Sequence, residues 1–164
     1  MALQSKLLVY AAIVGLLGLM GVIFWYGNLD APEIEQVEIE ITNVEVLSVN
    51  KVASTAKLEV TFLVKNPSDT TFTVSVISYE LYADGALLGS GQYSTADIAM
   101  PGRAIFSSGV EIPLKNIFEL DRSEVNNEIY QAVLDDDISS FKAEGVIIAE
   151  SAWSAIEKEF DSST

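Results

Sequence analysis

Carboxylates are the only plentiful side chains in this sequence with chemistry of their own. The 164 residues include 24 Asp and Glu but no Cys and no His. Thiol nucleophiles, disulfides, imidazole bases and Cys/His zinc sites are therefore excluded. Paired acids of the kind that glycosidases use are available, but no spacing in the sequence brings two of them into one pocket. We expect no catalytic residues and a protein that is not an enzyme.

The densest acidic cluster, Asp135–Asp137, directly follows a predicted helix. Anions at this end of a helix oppose the helix dipole. Calcium takes several oxygen ligands, but the spaced ligands of an EF-hand loop are absent here. The pattern favours a solvated turn, and we expect no metal site and no cofactor.

The charge balance bears on partners as well as on chemistry. The formal net charge is −15, with only 9 Lys and Arg. Because affinity for nucleic acids comes largely from basic side chains that displace counterions, we expect neither DNA nor RNA as a partner. An acidic surface of this kind favours solubility, and a specific cationic ligand is the alternative.

A run of 20 uncharged and mainly apolar residues, 7–26, lies near the N-terminus. Its length matches a helix that spans a bilayer. Lys6 precedes the run and acidic residues follow it, so the positive-inside rule places residues 1–6 in the cytoplasm. We predict a single-pass cell-membrane protein whose C-terminal domain is extracytoplasmic and whose partner is the lipid bilayer. A cleaved signal peptide and a pilin-like filament helix are the alternatives.

Small residues recur along this apolar run at Ala11, Gly15 and Gly18. Spacings of four and three bring them to roughly one helix face, where a second helix can approach closely. The pattern predicts a weak homodimer through the transmembrane helix. The alternative is that glycine is simply common in membrane helices.

Residues 27–35 contain Pro32 and three acids and are predicted to form a short extended linker to a domain over 36–164. Apolar and polar residues alternate in short runs through the first part of this domain, most clearly over 58–65, which is typical of half-buried strands. Breaks in the alternation predict bulges at Thr42-Asn43 and near Val76-Ile77.

The turns and the later elements complete the predicted fold. Asp84-Gly85 predicts a tight hairpin, and a strand over 105–114 is expected to end near Pro113. One amphipathic helix is predicted at about 123–135 and a strand over 138–149, whereas 150–164 fits either a strand or a helical turn. The expected class is all-β or α+β: an immunoglobulin or fibronectin III-like antiparallel β-sandwich with one helix, preceded by one transmembrane helix.

These segments together resemble a known family. The features that carry the resemblance are an alternating strand that runs directly into Asn66-Pro67, followed by 72–82, Gly85, Leu88-Gly89-Ser90-Gly91, Ile98-Ala99-Met100-Pro101-Gly102 and Ile112-Pro113-Leu114. They are similar to the late embryogenesis abundant group 2 family, which contains the water stress and hypersensitive response domain. The likeness covers about residues 36–150. It points to a membrane-anchored member of microbial or archaeal type.

The resemblance implies a folded sandwich associated with desiccation and other water stress, with no known catalytic site. Asn66 and Pro67 are the family motif, and their expected role is structural. Pro67 ends strand pairing, and the Asn66 side chain can hydrogen-bond backbone groups that the turn leaves unpaired. We therefore expect a membrane-anchored, non-enzymatic stress-protection domain that contacts proteins, membrane or envelope polymers. A structural or adhesive cell-envelope protein, including a pilin-like filament subunit, is the alternative.

Overall fold

Antiparallel strands make up most of the chain. The computed structural model describes residues 2–27, 31–95 and 104–164. In chain order the elements are α1 (Ala2–Gly27), α2 (Ala31–Ile34), β1 (Glu38–Asn50), β2 (Thr55–Lys65), β3 (Phe72–Ala83), β4 (Ala86–Ser94), β5 (Ile105–Phe106), β6 (Glu111–Asp121), α3 (Asn127–Leu134), β7 (Phe141–Glu150) and β8 (Ala155–Ser163). The predicted turn at Met100-Pro101-Gly102 and its neighbour Ile98-Ala99 lie outside the described residues.

The strands form two antiparallel sheets. The first sheet has the order β1-β2-β6, and the second has the order β4-β3-β7-β8, with the short β5 paired to the start of β3. The middle of the first sheet places Phe62 between Ile41 and Leu114. The middle of the second places Tyr79 between Gly91 and Gly145. The prediction of a mostly β, antiparallel fold with a helix is confirmed.

The inner faces of the two sheets share one hydrophobic core. Phe62 of the first sheet meets Tyr79 of the second edge to face, with ring centroids 4.8 Å apart. Both side chains are almost wholly buried because each belongs to the inward-facing half of an alternating strand. Truncating Phe62 to Ala would cost about 3–5 kcal/mol of folding free energy. The core therefore follows directly from the period-two pattern of β2 and β3.

Two of the predicted irregularities are present in the sheets. A register shift separates Ile41 from Asn43 in β1, as predicted, and a second shift follows Val46. The expected bulge in β3 lies between Val74 and Val76, slightly earlier than the sequence indicates. The predicted hairpin is confirmed, since Asp84 and Gly85 have φ angles of 46° and 82° and join two paired strands.

The segment predicted as one strand over 105–114 instead changes sheet. β5 pairs with β3 and β6 pairs with β2, with a turn between them at Gly109, whose φ is 71°. Glycine adopts this backbone conformation without steric cost. Pro113 does not end the strand, because β6 lies at a sheet edge, where a residue without an N–H is tolerated. The prediction that pairing ends near Pro113 is wrong.

The predicted helix at about 123–135 starts later and is shorter. Asn126 caps α3 by accepting a hydrogen bond from the Glu128 N–H at 3.0 Å, whereas Ser123 donates to Asp121 in the preceding turn. Tyr130 and Val133 bury one face of the helix. Residues 150–164, whose sequence fits either a strand or a helical turn, contain strand β8.

The N-terminal apolar run lies within α1. The described side chains from Val9 to Trp25 are all exposed. Within the part of the chain that the structure describes, no helix is long and apolar enough to cross a membrane. The prediction of an extended linker over 27–35 is wrong for residues 31–34, which form α2. Pro32 is compatible with the first turn of a helix, and Ile34 is fully buried. Residues 28–30 lie outside the described residues.

Candidate functional site

Asn66 lies just beyond the end of β2, and its side chain ties three backbone segments together. Its Nδ2 donates hydrogen bonds to the carbonyl oxygens of Thr70 at 2.9 Å and Phe106 at 2.8 Å. Its Oδ1 accepts from the N–H and the hydroxyl of Ser68 at 3.0 and 2.8 Å. An amide side chain has two donor hydrogens and two acceptor lone pairs, so these bonds use its whole capacity. Asn66 therefore has no polar group left for a ligand.

The main chain of Asn66 is equally engaged. Its N–H donates to Val110 O at 3.0 Å, and its carbonyl accepts from the Gly109 N–H at 2.8 Å. Asn66 is 1% exposed, while Pro67 beside it is exposed. The motif thus fixes the corner where the chain leaves β2 of the first sheet and where it later passes from β5 of the second sheet to β6 of the first. It positions the scaffold without contributing a binding surface.

The predicted helix contact lies on α1. Ala11, Gly15 and Gly18 are exposed there, and a methyl group added at Gly15 or Gly18 would meet no atom within 4 Å. Space for a second helix is therefore present at these positions. Association through this face stays a prediction.

A concave surface lies on the outer face of the second sheet. A groove of about 970 Å³ crosses all four strands of that sheet. The strand register sets Glu80 opposite Glu144, and Glu144 opposite Asp161, so three carboxylates form a row across β3, β7 and β8. Glu159 lines the same groove. We call this surface, defined by Glu80, Glu144, Glu159 and Asp161, the acidic face.

Alternation within the strands places these carboxylates outside. Tyr79 points into the core, so its neighbour Glu80 points to solvent. Gly91 and Gly145 flank Tyr79 in the register and share its inward phase, so their lack of side chains leaves room for the Tyr79 ring. A Cβ at Gly145 would lie 2.1 Å from Ser78 O, and one at Gly91 would lie 2.5 Å from the Tyr79 ring. Only glycine fits at either position.

One lysine partly neutralises the acidic face. Lys142 Nζ lies 2.5 Å from Glu144 Oε1 and 2.9 Å from Asp161 Oδ2. These hydrogen bonds, first to Glu144 and then to Asp161, raise the pKa of Lys142 above its ordinary value. The Tyr82 hydroxyl donates to Glu80 Oε2 at 2.7 Å, which raises the pKa of Tyr82. The face keeps an excess of negative charge and holds it in fixed positions.

Sequence reasoning missed the acidic face. Its carboxylates come from β3 and, much later in the chain, from the consecutive strands β7 and β8, and only the pairing of β7 with β3 and with β8 brings them together. The available signal was the outward phase of Glu80, Glu144 and Asp161 within their strands. The Asp135–Asp137 cluster is not part of this surface: Asp135 ends α3 and Asp136 occupies the turn with φ of 57°. Among the described residues, no three acidic side chains are grouped so as to hold a metal ion.

Comparison with known proteins gives relatives by structure only. No protein-family model matches the chain, and no curated protein matches it. A solution structure of a protein from Arabidopsis thaliana is similar with a TM-score of 0.55 and 15% identity, covering 77% of this chain and 78% of that one. A crystal structure of a protein from Archaeoglobus fulgidus has a TM-score of 0.47 and 12% identity, covering 76% and 94%.

A third similar structure, also determined in solution, is of a protein provisionally described as late embryogenesis abundant. Its TM-score is 0.39 and its identity 14%, over 93% of this chain and 83% of that one. Of the three similarities, the one to the Arabidopsis thaliana protein is close enough to show a shared fold. The chain has the fold of that protein.

Proposed function

We propose that this chain is a membrane-anchored, non-catalytic stress-protection domain related to the group 2 late embryogenesis abundant proteins. It acts by contact with proteins, membrane or envelope polymers. The observation that carries the proposal is the acidic face, a broad open surface with carboxylates held in place on a rigid sheet. Such a surface suits many weak, water-mediated contacts better than the enclosure of one substrate.

The acidic face offers a physical route to protection. Ionised carboxylates are strongly hydrated, and acidic side chains improve protein solubility more than basic ones do. A surface of fixed negative charge keeps neighbouring acidic macromolecules apart as water is withdrawn. Exposed Glu80, Glu159 and Asp161 retain that hydration on the outer side of a sheet whose inner side is locked into the core.

The sequence of the N-terminal segment supports anchoring of the domain, although the described part of α1 taken alone is not long and apolar enough to cross a membrane. Residues 7–26 carry no charge, and the described apolar side chains of α1 are exposed around the helix. A helix that is apolar on all sides requires apolar surroundings, which a bilayer or a bundle of such helices supplies. We propose a cytoplasmic N-terminus, an extracytoplasmic domain, and a weak helix contact through Ala11, Gly15 and Gly18.

The link to water stress comes from the family resemblance. Asn66-Pro67 follows an alternating strand, as in that family, and the side chain of Asn66 holds the corner of the sandwich. The shared fold of the Arabidopsis thaliana protein is compatible with this assignment. The absence of His and Cys removes the commonest nucleophiles and bases of hydrolases, which supports a non-enzymatic role.

The experiment is a drying assay with the full chain in lipid nanodiscs. Lactate dehydrogenase is dried and rehydrated with wild-type protein, with a variant that carries Glu80→Gln, Glu144→Gln and Asp161→Asn, and with empty nanodiscs. A matched variant, Glu38→Gln, Glu111→Gln and Glu119→Gln, removes three exposed acids from the first sheet instead. We expect recovered enzyme activity to fall with the acidic-face variant and not with the matched one.

Two results would oppose this function. Recovery that equals that of empty nanodiscs would exclude protection, and equal loss in both variants would assign it to net charge alone. Regular filaments in purified envelope fractions, with no protection of the enzyme, would instead support the structural or adhesive alternative. Membrane fractionation after carbonate washing tests the anchor separately, since a peripheral protein would be released.

A further inference from the structure

Strand β1 is an edge strand, and its first part is closed off by side chains from the other sheet. Among the residues that the structure describes, it pairs only with β2. On the opposite side, Lys158 Nζ of β8 donates to the carbonyl oxygen of Val37, the residue just before β1, at 2.6 Å, and the Ile41 N–H of β1 donates to Ser162 Oγ at 3.0 Å. These contacts occupy main-chain groups that would otherwise be available to another strand.

The second part of β1 has no such cover. Within the described residues, no hydrogen bond reaches the main chain of 43–49 from the side away from β2. We call residues 43–50 the open edge. A row of unpaired main-chain donors and acceptors in extended conformation is a template for a further strand.

The inward-facing side chains of the open edge lie at the margin of the hydrophobic core and are only partly covered. Val44 and Val46 lie opposite the buried Val60 and Leu58, so they face inward, yet both are only half-buried. Val49, opposite the buried Ala56, is 39% exposed. An added strand with apolar residues at alternate positions would cover these valines.

The charge of the surroundings determines which strand fits. Glu45 points to the solvent side beside Glu59; Lys115 forms an ion pair with Glu59 and acts on Glu45 only over a longer distance. The chain as a whole carries a net charge of −15. A second copy would bring the same negative charge to the edge, whereas a segment with Lys or Arg at its solvent-facing positions would complement it.

We propose that the open edge binds, by strand addition, an extended polypeptide segment in which apolar residues alternate with basic ones. The main chain of 43–50 supplies the hydrogen bonds, the inward valines accept the apolar side chains, and Glu45 attracts the basic ones. This names a partner class for the proposed protective contacts and rests on that function for its biological meaning. The binding itself does not involve the acidic face.

The test uses the full chain in nanodiscs and a fluorescent peptide of alternating Val and Lys, with binding followed by anisotropy. We expect saturable binding that is lost when alternate peptide nitrogens are methylated, because methylation removes the main-chain donors and keeps the charges. A Val and Glu peptide of the same length should bind at least about tenfold more weakly. Amide exchange should slow in 43–50 on binding and not at the closed part of β1.

A pair of charge reversals locates the site on the protein. Glu45→Lys should weaken binding about fivefold, whereas Glu119→Lys, the same change on the far edge strand of that sheet, should have a much smaller effect. Equal binding of the methylated peptide, equal effects of the two reversals, or protection of amides on another strand would each overturn the proposal. A dimer formed through 43–50 in sedimentation would assign the edge to a second copy instead.

The peptide experiment and the drying assay test the two proposals independently of each other. The acidic-face variant should bind the peptide as the wild type does, since its three changes lie on the second sheet. Loss of peptide binding with enzyme protection intact would overturn the strand-addition proposal alone. Peptide binding without enzyme protection would overturn the protective function and leave the open edge as a binding surface.

Discussion

Asn116 of β6 donates a hydrogen bond of 2.9 Å to the hydroxyl of Tyr79 on β3, so a polar contact joins the two sheets across the core. Tyr79 is 3% exposed, and its ring lies against Gly91 and Phe62. The hydroxyl has a partner, but the ring has very little water around it. The neutral form of Tyr79 is therefore strongly favoured in the folded protein.

This environment predicts loss of stability at high pH. Burial raises the pKa of Tyr79 from 10.0 to about 12, against the smaller opposing effect of Asn116. Above pH 10 the unfolded chain releases the Tyr79 proton and the folded protein retains it, so the free energy of unfolding falls until about pH 12. The loss should reach about 2–3 kcal/mol.

The measurement is urea unfolding across this pH range, followed by circular dichroism. Tyr79→Phe should lose most of the pH dependence, whereas Tyr82→Phe, which changes a ring at the surface, should lose less of it. An unchanged slope in Tyr79→Phe would show that other groups account for the effect.

Asn66→Ala should destabilise the domain through the corner that Asn66 holds. The substitution removes the buried hydrogen bond to Phe106 O and the shorter of the two hydrogen bonds to the half-buried Thr70 O, and it should cost about 2–4 kcal/mol. Asn50→Ala is the matched change at an exposed turn, where Oδ1 accepts from Val52 and Ala53. A urea midpoint that falls no further for Asn66→Ala than for Asn50→Ala would contradict the structural role.

Gly145→Ala should force β3 and β7 apart. Its methyl group would lie 2.1 Å from Ser78 O, a distance that main-chain atoms cannot accommodate without moving a strand, and we expect a cost of about 3 kcal/mol. Gly21→Ala makes the same chemical change where nothing lies within 4 Å. The thermal midpoint of the domain should drop for the first variant and stay constant for the second.

Lys158→Met should loosen the closed part of β1 without unfolding the domain. The ammonium group donates to the carbonyls of Glu35 and Val37, and losing both bonds should cost about 1–2 kcal/mol. We expect faster amide exchange at Ile39 and Ile41. Lys57→Met on the exposed side of β2 serves as the control, and equal exchange in the two variants would argue against the contact.

Much of the fold could be predicted because it depends on residue patterns within short segments of the sequence. The alternation over 58–65 gave β2 directly, and Asp84-Gly85 gave the hairpin between β3 and β4, since both depend on neighbouring residues. The change of sheet at Gly109 could not be read in the same way. An apolar run on each side of a turn is compatible with either sheet, and only the packing of β5 on β3 decides between them.

The candidate surfaces were less predictable than the fold. Glu80, Glu144 and Asp161 look like ordinary solvent-facing acids within their own strands, and their row exists only through long-range register. The open edge depends in the same way on where Lys158 and Ser162 reach β1. Asn66 was recognisable because the Asn-Pro pair directly follows an alternating strand, but its hydrogen bond to Phe106, 40 residues away, was not.

The pairing of β3 with β7 can form only late in synthesis and therefore delays folding. A hydrogen bond from the Thr73 hydroxyl to Glu150 O joins residues 77 positions apart, with β4, β5, β6 and α3 between them in the chain. During synthesis, the edge of β3 that pairs with β7 therefore stays unpaired until β7 has left the ribosome. Long-range pairing of this kind slows folding and prolongs exposure of apolar surface. We expect slow refolding after dilution from urea, on a scale of milliseconds to seconds.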